Sequence, residues 1–291
     1  MDQARNLRAL LTARKTSDTV KTSSARVITV TSGKGGVGKT NFTVNLALYL
    51  SRQGARVVVV DADLGLANIE ILLGVAPKYS LLDMLSGQRT LEETVTRVPS
   101  GISFISGGSG LVELANISES MLKSTVDSLA NLDEMADIVL IDTGAGIANT
   151  VLRFVMAAGE CIVVCAPEPT SITDAYSLIK SVKERSNEAH VPQFKVIINR
   201  VDDQKEGIRI FDNLQKVAHN FLNVELNHLG TIPYDRSLVK AVKQQKPCIL
   251  SFPNSDFSKE VERIGNTILD LKIEKTSSGM KGFMKRLFGN K

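Results

Sequence analysis

The sequence predicts an α/β fold, a mostly parallel, doubly wound sheet in a single domain with a short helical extension at each end. Three observations predict it. Short β-branched apolar runs recur along the chain, stretches of helical length separate them, and a glycine-rich loop follows the first run directly. Strands joined by helices are crossovers and not hairpins, and such connections build parallel sheets covered on both faces.

The first strand is expected at residues 27–31, ahead of the glycine loop that opens at Gly33. A helix should run over 39–53, with Gly54 as its left-handed stop. Strands are expected at 57–60, 102–105, 138–141, 161–165, 194–198 and 229–232, with helical stretches after Ser118 and over 205–221. No fixed-period repeat or internal linker divides the body. The expected units are 1–25, a helical segment and tether; 26–271, the α/β domain; and 272–291, a tether and terminal helix. Residues 12–25 and 272–279 are polar and lack apolar periodicity, so both are expected to be flexible tethers.

With 291 residues and 43% hydrophobic composition the chain can bury a real core. It has no run of 18 apolar residues and no apolar leader, so the expected compartment is the cytosol. Cys161 and Cys165 lie in one apolar run; four strand residues at about 3.3 Å each hold them roughly 13 Å apart, too far for a disulfide. Without a partner pair or a nearby histidine they also make no zinc site. The net charge of +4 divides unevenly. Residues 1–26 carry +4 and residues 272–291 carry +5, which leaves −5 on the body. Two basic ends on an acidic body argue against a broad nucleic-acid face, so no direct nucleic-acid binding is expected. They favour short segments that meet something anionic.

The glycine loop reads Gly33, Lys34, Gly35, Gly36, Val37, Gly38, Lys39, Thr40, followed by Asn41. Strand before and helix after, it fits the P-loop pattern. Its glycines let backbone N–H groups converge on phosphate at a helix N-terminus, Lys39 adds charge near the β and γ groups, and the Thr40 hydroxyl suits Mg²⁺. Such chemistry needs carboxylates at neighbouring strand ends, where open α/β sheets bind ligands. Asp61 and Asp63 follow the 57–60 run, and Asp142 follows 138–141 ahead of Thr143, Gly144, Ala145 and Gly146. Asp142 is the expected Mg²⁺ holder with Thr40, while an aspartate of the earlier pair could orient the attacking water.

The run Lys34 to Thr40 resembles the deviant Walker A motif of the MinD/ParA class of ATPases, in which a second lysine precedes the usual one. Asp61, Ala62, Asp63, Leu64, Gly65, Leu66, Ala67, Asn68 resembles that class's switch I, and Asp142 to Gly146 its switch II. The resemblance implies ATP and Mg²⁺ as cofactors, with Lys34, Lys39 and Asp63 as catalytic residues. Lys34 would reach the partner's phosphates across a nucleotide-sandwich homodimer, and Asp63 would position the hydrolytic water. Asn199 and the backbone around Pro233 would hold the adenine. Gly144 stands where many members have Pro.

At the C-terminus, Met280, Phe283, Met284, Leu287 and Phe288 repeat at helical spacing, with Lys281, Lys285 and Arg286 around them. That is a membrane-surface pattern. A helix this short is marginal in water and is expected to fold on an anionic membrane or be held by the body. It resembles the membrane-targeting sequence of MinD. At the N-terminus, Ala4, Leu7 and Leu11 form one side of a short basic segment that reads as a detachable partner helix. This segment resembles the activator of the FlhG (YlxH/FleN) family. The resemblance implies that Gln3, Arg5, Leu7 and Arg8 meet an FlhF-type GTPase, with Gln3 central, and that flagellar switch-complex proteins are further partners.

The function so implied is that of a slow ATPase whose hydrolysis of ATP to ADP and phosphate is coupled to dimerisation. It would sit on the inner face of the cell membrane when ATP-bound and regulate flagellar number and placement. A MinD-like division-site selector shares the core and the tail, and only the first eleven residues argue against it. A ParA-like partitioning ATPase is disfavoured by the acidic body, and a metal-carrier ATPase by the absence of a Cys-x-x-Cys pair.

Overall fold

The computed structural model describes residues 24–63, 68–107, 126–186, 191–271 and 279–288. The N-terminal residues Gln3, Arg5, Leu7 and Arg8, most of both expected tethers, and Leu64 to Ala67 of the switch I stretch lie outside the described residues.

Eight strands form one sheet: β1 (Arg26–Ser32), β2 (Val57–Ala62), β3 (Thr96–Arg97), β4 (Ser103–Ile105), β5 (Ile138–Ala145), β6 (Glu160–Cys165), β7 (Gln193–Val201) and β8 (Leu226–Pro233). Their spatial order is β3-β4-β2-β5-β1-β6-β7-β8. Every pairing is parallel except β3 with β4. All seven expected strands are present, and β3 is an addition: a two-residue antiparallel edge, too short to show alternation. The chain runs outward from β1 to β2 and β4, returns to insert β5, and then continues on the other side through β6, β7 and β8. That reversal puts a crevice at the carboxyl ends of β1 and β5, where an open parallel sheet takes its ligands.

Helices cover both faces. On one, α1 (Lys39–Arg52) packs with α2 (Asn68–Leu73), α9 (Arg236–Lys243), α10 (Cys248–Ser251) and α11 (Asp256–Asp270). Phe42, Leu46, Tyr49, Phe257, Val261 and Ile264 make the core there. The first strand is wholly buried, as a parallel strand covered on both faces requires, and α1 is buried from Phe42 to Leu50. On the opposite face, α6 (Asn149–Ala157), α7 (Pro169–Arg185) and α8 (Gln204–Leu222) bury Leu152, Val155, Leu178, Ile179, Val182 and Leu214. Shorter helices α3 (Leu81–Leu85), α4 (Leu91–Thr94) and α5 (Leu132–Met135) line the same face towards the β4 edge.

The last helix, α12 (Gly279–Phe288), lies on this second face. Met280, Phe283, Met284 and Leu287 are buried beside Ala25, Val27, Leu132, Ala136, Phe154 and Ala157, and Phe288 packs partly buried against them. Phe283 stands 6.2 Å from the Phe154 ring. Of the two fates expected for this helix, the structure has the one in which the body holds it.

At the end of the sheet opposite the crevice, three charges are buried together. The Arg26 guanidinium grips Glu160 through Nε and Nη2, both at 2.7 Å, and Lys195 donates to the same carboxylate. Burial works against the Glu160 charge, but hydrogen bonds and charge from Arg26 and Lys195 win and hold its carboxyl below the ordinary 4.5. A carboxyl held low stabilises the fold above its ordinary value, and that share is lost as pH falls through the lowered one. Glu160→Gln leaves two buried cations without their counter-charge and should cost about 3 kcal/mol at neutral pH. In denaturant titrations across pH, the gap between wild type and variant should be widest above pH 4.5 and narrow in acid.

Candidate functional site

The crevice is built from four strand ends. β1 delivers the glycine loop, in which Gly36 (φ 76°) and Gly38 (φ 95°) take the left-handed conformation. Gly38 is the N-cap of α1 and supplies no side chain to its first turn, so those N–H groups are offered to an anion, as in other phosphate loops. Gly35 and Gly36 are exposed, Val37 is buried beneath the loop, and Thr40 and Asn41 are half-buried in the first turn.

Lys39 and Asp142 are both buried, with Nζ 3.0 Å from Oδ1. Thr43 donates to the same Oδ1 at 3.0 Å, and the Thr40 hydroxyl lies 3.5 Å from the Lys39 ammonium. The other oxygen of Asp142, Oδ2, is buried and has no hydrogen-bond partner among the described residues. A satisfied oxygen and an orphaned one on a carboxylate beside a threonine hydroxyl fit a hard divalent cation such as Mg²⁺, which would draw on Thr40 and Asp142. Asp61 is paired with Asp142 across the β2–β5 register. Burial pushes its carboxyl up to about 7, the Asp63 N–H bonded to it opposes the rise, and the charge of Asp142 adds to it. Asp63 follows the end of β2 beside the stretch after Asp142: a Cβ on Gly144 would meet its Oδ1 at 3.5 Å, an ordinary contact. Nothing steric therefore demands glycine at 144. Gly146 N–H donates to Ser32 O at 2.8 Å, tying this stretch to the root of the glycine loop.

The two lysines of the loop have different partners. Lys34 is half exposed, and its Nζ contacts Glu168 at 2.5 Å and Thr170 at 3.0 Å, at the start of α7. The Lys34 ammonium holds the Glu168 carboxyl below its ordinary range. Asn199 is buried; its Nδ2 donates to Val37 O at 2.7 Å, and its Oδ1 accepts from Arg200 N–H at 3.0 Å. A Cβ on Gly38 would come within 2.5 Å of that Nδ2. Asn199 thus braces the loop from β7, with Pro233 ending the neighbouring β8. Sequence reasoning missed Glu168, Thr170 and Thr43. The first two lie more than 130 residues from Lys34, and no local pattern signals such a pairing.

α6 starts at Asn149, just beyond Gly146, and carries the docked terminal helix. Arg153 donates to Leu287 O at 2.6 Å, and Arg286 to Ala157 O at 2.7 Å. Lys281 and Lys285 face solvent.

Comparison with known proteins gives a consistent result. The family profile described as ParA, NUBPL iron-transfer P-loop NTPase, matches residues 23–269. The antiactivator FleN of Pseudomonas aeruginosa is 39% identical over 264 residues, covering 90% of this chain and 93% of that protein. The flagellum site-determining protein YlxH of Helicobacter pylori is 36% identical, covering 91% and 90%. Among solved structures, MinD of Pyrococcus horikoshii complexed with Mg-ADP superposes with a TM-score of 0.68 at 25% identity, covering 88% of this chain and 98% of that one. The MinC:MinD cell division complex of Aquifex aeolicus gives 0.66 at 28%, covering 86% and 98%.

A brace and a base-reading group are separable at Asn199. Asn199→Ala should weaken binding of ATP and of inorganic tripolyphosphate alike, each by about tenfold for a lost buried hydrogen bond. Calorimetry with both ligands checks this: a loss confined to ATP would assign the side chain to the base.

Proposed function

Because the chain belongs to the ParA family of P-loop NTPases, within the MinD/ParA class that includes its FleN and YlxH relatives, we propose that it is an ATP-driven switch. It binds Mg²⁺-ATP, pairs with a second copy, binds the membrane through α12, and lets go on hydrolysis. Its output is control of flagellar number and placement, a reading supported by the name of the flagellum site-determining relative YlxH, and its partners are an FlhF-type GTPase and flagellar switch-complex proteins. The cysteines give no support to iron transfer, since Cys161, Cys165 and Cys248 are all buried.

The observation that carries the proposal is the seat of α12. Its apolar face is buried on α6, the helix that follows directly from the stretch linking Asp142 to the glycine loop. A shift of that stretch on nucleotide binding reaches α12 through one short rod. No helix among the described residues is long and apolar enough to cross a membrane, so attachment rests on burying the α12 face. The same face stabilises the docked helix, so a single tail binds lipid weakly. Two tails on one dimer bind far better, because the second engagement is intramolecular.

In the site, Lys39 and the α1 N-terminus neutralise phosphate charge, Asn199 braces the loop that holds the phosphates, and the backbone around Pro233 takes the base. Asp142 and Thr40 would hold a magnesium ion, which would supply charge stabilisation to the transferring phosphoryl group. Asp63 orients the attacking water. Lys34 leaves Glu168 and Thr170 for the phosphates of the second copy, a cation delivered only by dimerisation; comparable groups contribute roughly 10³ to 10⁵ in rate.

Lys39→Gln should abolish ATP-dependent sedimentation with anionic vesicles, and unchanged sedimentation removes the switch. Asp63→Ala should still bind ATP but hydrolyse it at least about a hundredfold more slowly and elute as a dimer. A monomer in ATP by light scattering counts against the role given to hydrolysis.

A further inference from the structure

One carboxylate fastens both ends of the described body. Asp133, on α5, accepts from the Ala25 N–H at 2.9 Å through Oδ1, and from the Met280 N–H at 2.7 Å through the same oxygen. Its Oδ2 lies 3.3 Å from the Lys281 N–H. Met280 and Lys281 are in the first turn of α12, whose unpaired N–H groups favour a negative charge. Ala25 is the residue through which everything N-terminal joins β1.

Packing repeats the connection. Ala25 and Val27 belong to the same buried cluster as Met280, Phe283, Met284 and Leu287, so α12 roofs the beginning of β1. Gly279 has φ 61° and fills the space between the two ends: a Cβ there would fall 2.5 Å from Ser24 Cβ and 2.6 Å from Asp133 Oδ1. Only glycine suits both that backbone conformation and that gap.

We propose that Asp133 is a shared latch that makes the C-terminal helix and the root of the N-terminal segment one cooperative unit. When α12 leaves, Asp133 loses two of its three backbone donors, water reaches the carboxylate, and Ala25 and Val27 lose their cover. The Ala25 N–H then competes with solvent for its acceptor, and the root of residues 1–23 loosens. Linkage makes the effect reciprocal: whatever pulls on the N-terminal segment weakens the hold on α12 by the same factor. The Ala25 amide is therefore unfastened in the same event that frees the lipid-binding face. This rests on the membrane reading above for what removes α12, but the latch itself can be measured without lipid.

The test is hydrogen exchange on the full chain, following peptides that contain the Ala25 amide and α12. Four proteins are compared: wild type, Asp133→Ala, Gly279→Ala, and a chain lacking residues 279–291. ATP binding serves as the check that each is folded. Gly279→Ala wedges the two ends apart while leaving the carboxylate in place, and should speed exchange in both peptides together by about tenfold. Asp133→Ala should do the same and raise nucleotide-free binding to mixed phosphatidylglycerol and phosphatidylcholine vesicles. The truncated chain should lose protection at Ala25 although Asp133 is intact. Retained protection at Ala25 in the truncated chain, or faster exchange in only one peptide of Gly279→Ala, overturns the latch. If wild type with ATP never binds the vesicles, the membrane reading fails, and the lipid-free comparison still decides the latch.

Discussion

The site depends on one electrostatic constraint: a carboxylate with no exposure to water, Asp142, is tolerated only because Lys39 and Thr43 satisfy one of its oxygens. Burying an ion costs several kcal/mol even after relaxation, and an excellent partner geometry is what offsets it. Drawing the Lys39 ammonium towards phosphate would strip Asp142 of its counter-charge unless another cation took over, and Oδ2 stands open for one. In the proposed function, triphosphate and divalent ion would therefore bind together. Asp61, alongside and with its carboxyl pushed up to about 7, avoids adding a second full charge to the pocket.

Much of this was legible in the sequence, because parallel strands buried on both faces carry their signal locally as continuous β-branched runs. All seven strands and the loop at the end of the first followed from runs and glycine spacing. β3 did not, since two residues paired only to β4 carry no period. The site divides in the same way. Lys39, Thr40 and Asp142 are marked by position at strand and helix ends, whereas Glu168 meets Lys34 only through the tertiary fold. Asn199 was read from resemblance as a base contact, and its hydrogen bonds here go to the loop backbone and to Arg200; that use depends on β7 passing beneath Val37, which no local pattern records.

The terminal helix exposes a limit of a different kind. Its apolar spacing states that one face leaves water and says nothing of where it goes, because a protein core and a bilayer are alike in polarity. Either destination would use Met280, Phe283, Met284 and Leu287, and the cations would suit either: Arg286 bonds to the Ala157 carbonyl at the end of α6, while Lys281 and Lys285 remain exposed.

That ambiguity is what a switch needs. Each large apolar side chain is worth about 1.5–3 kcal/mol when buried, whichever surface buries it. In the proposed switch, docked and lipid-bound states would compete with similar burial, so the difference between them would be small although each contribution is large. Moving such an equilibrium from 1:99 to 99:1 takes only about 5.5 kcal/mol. In the proposed switch, the contacts a shift of the α6 seat would have to weaken are those of Arg153 and Arg286 with the helix backbones. Had α12 been more apolar, both states would have deepened without moving the balance, and solubility would have suffered.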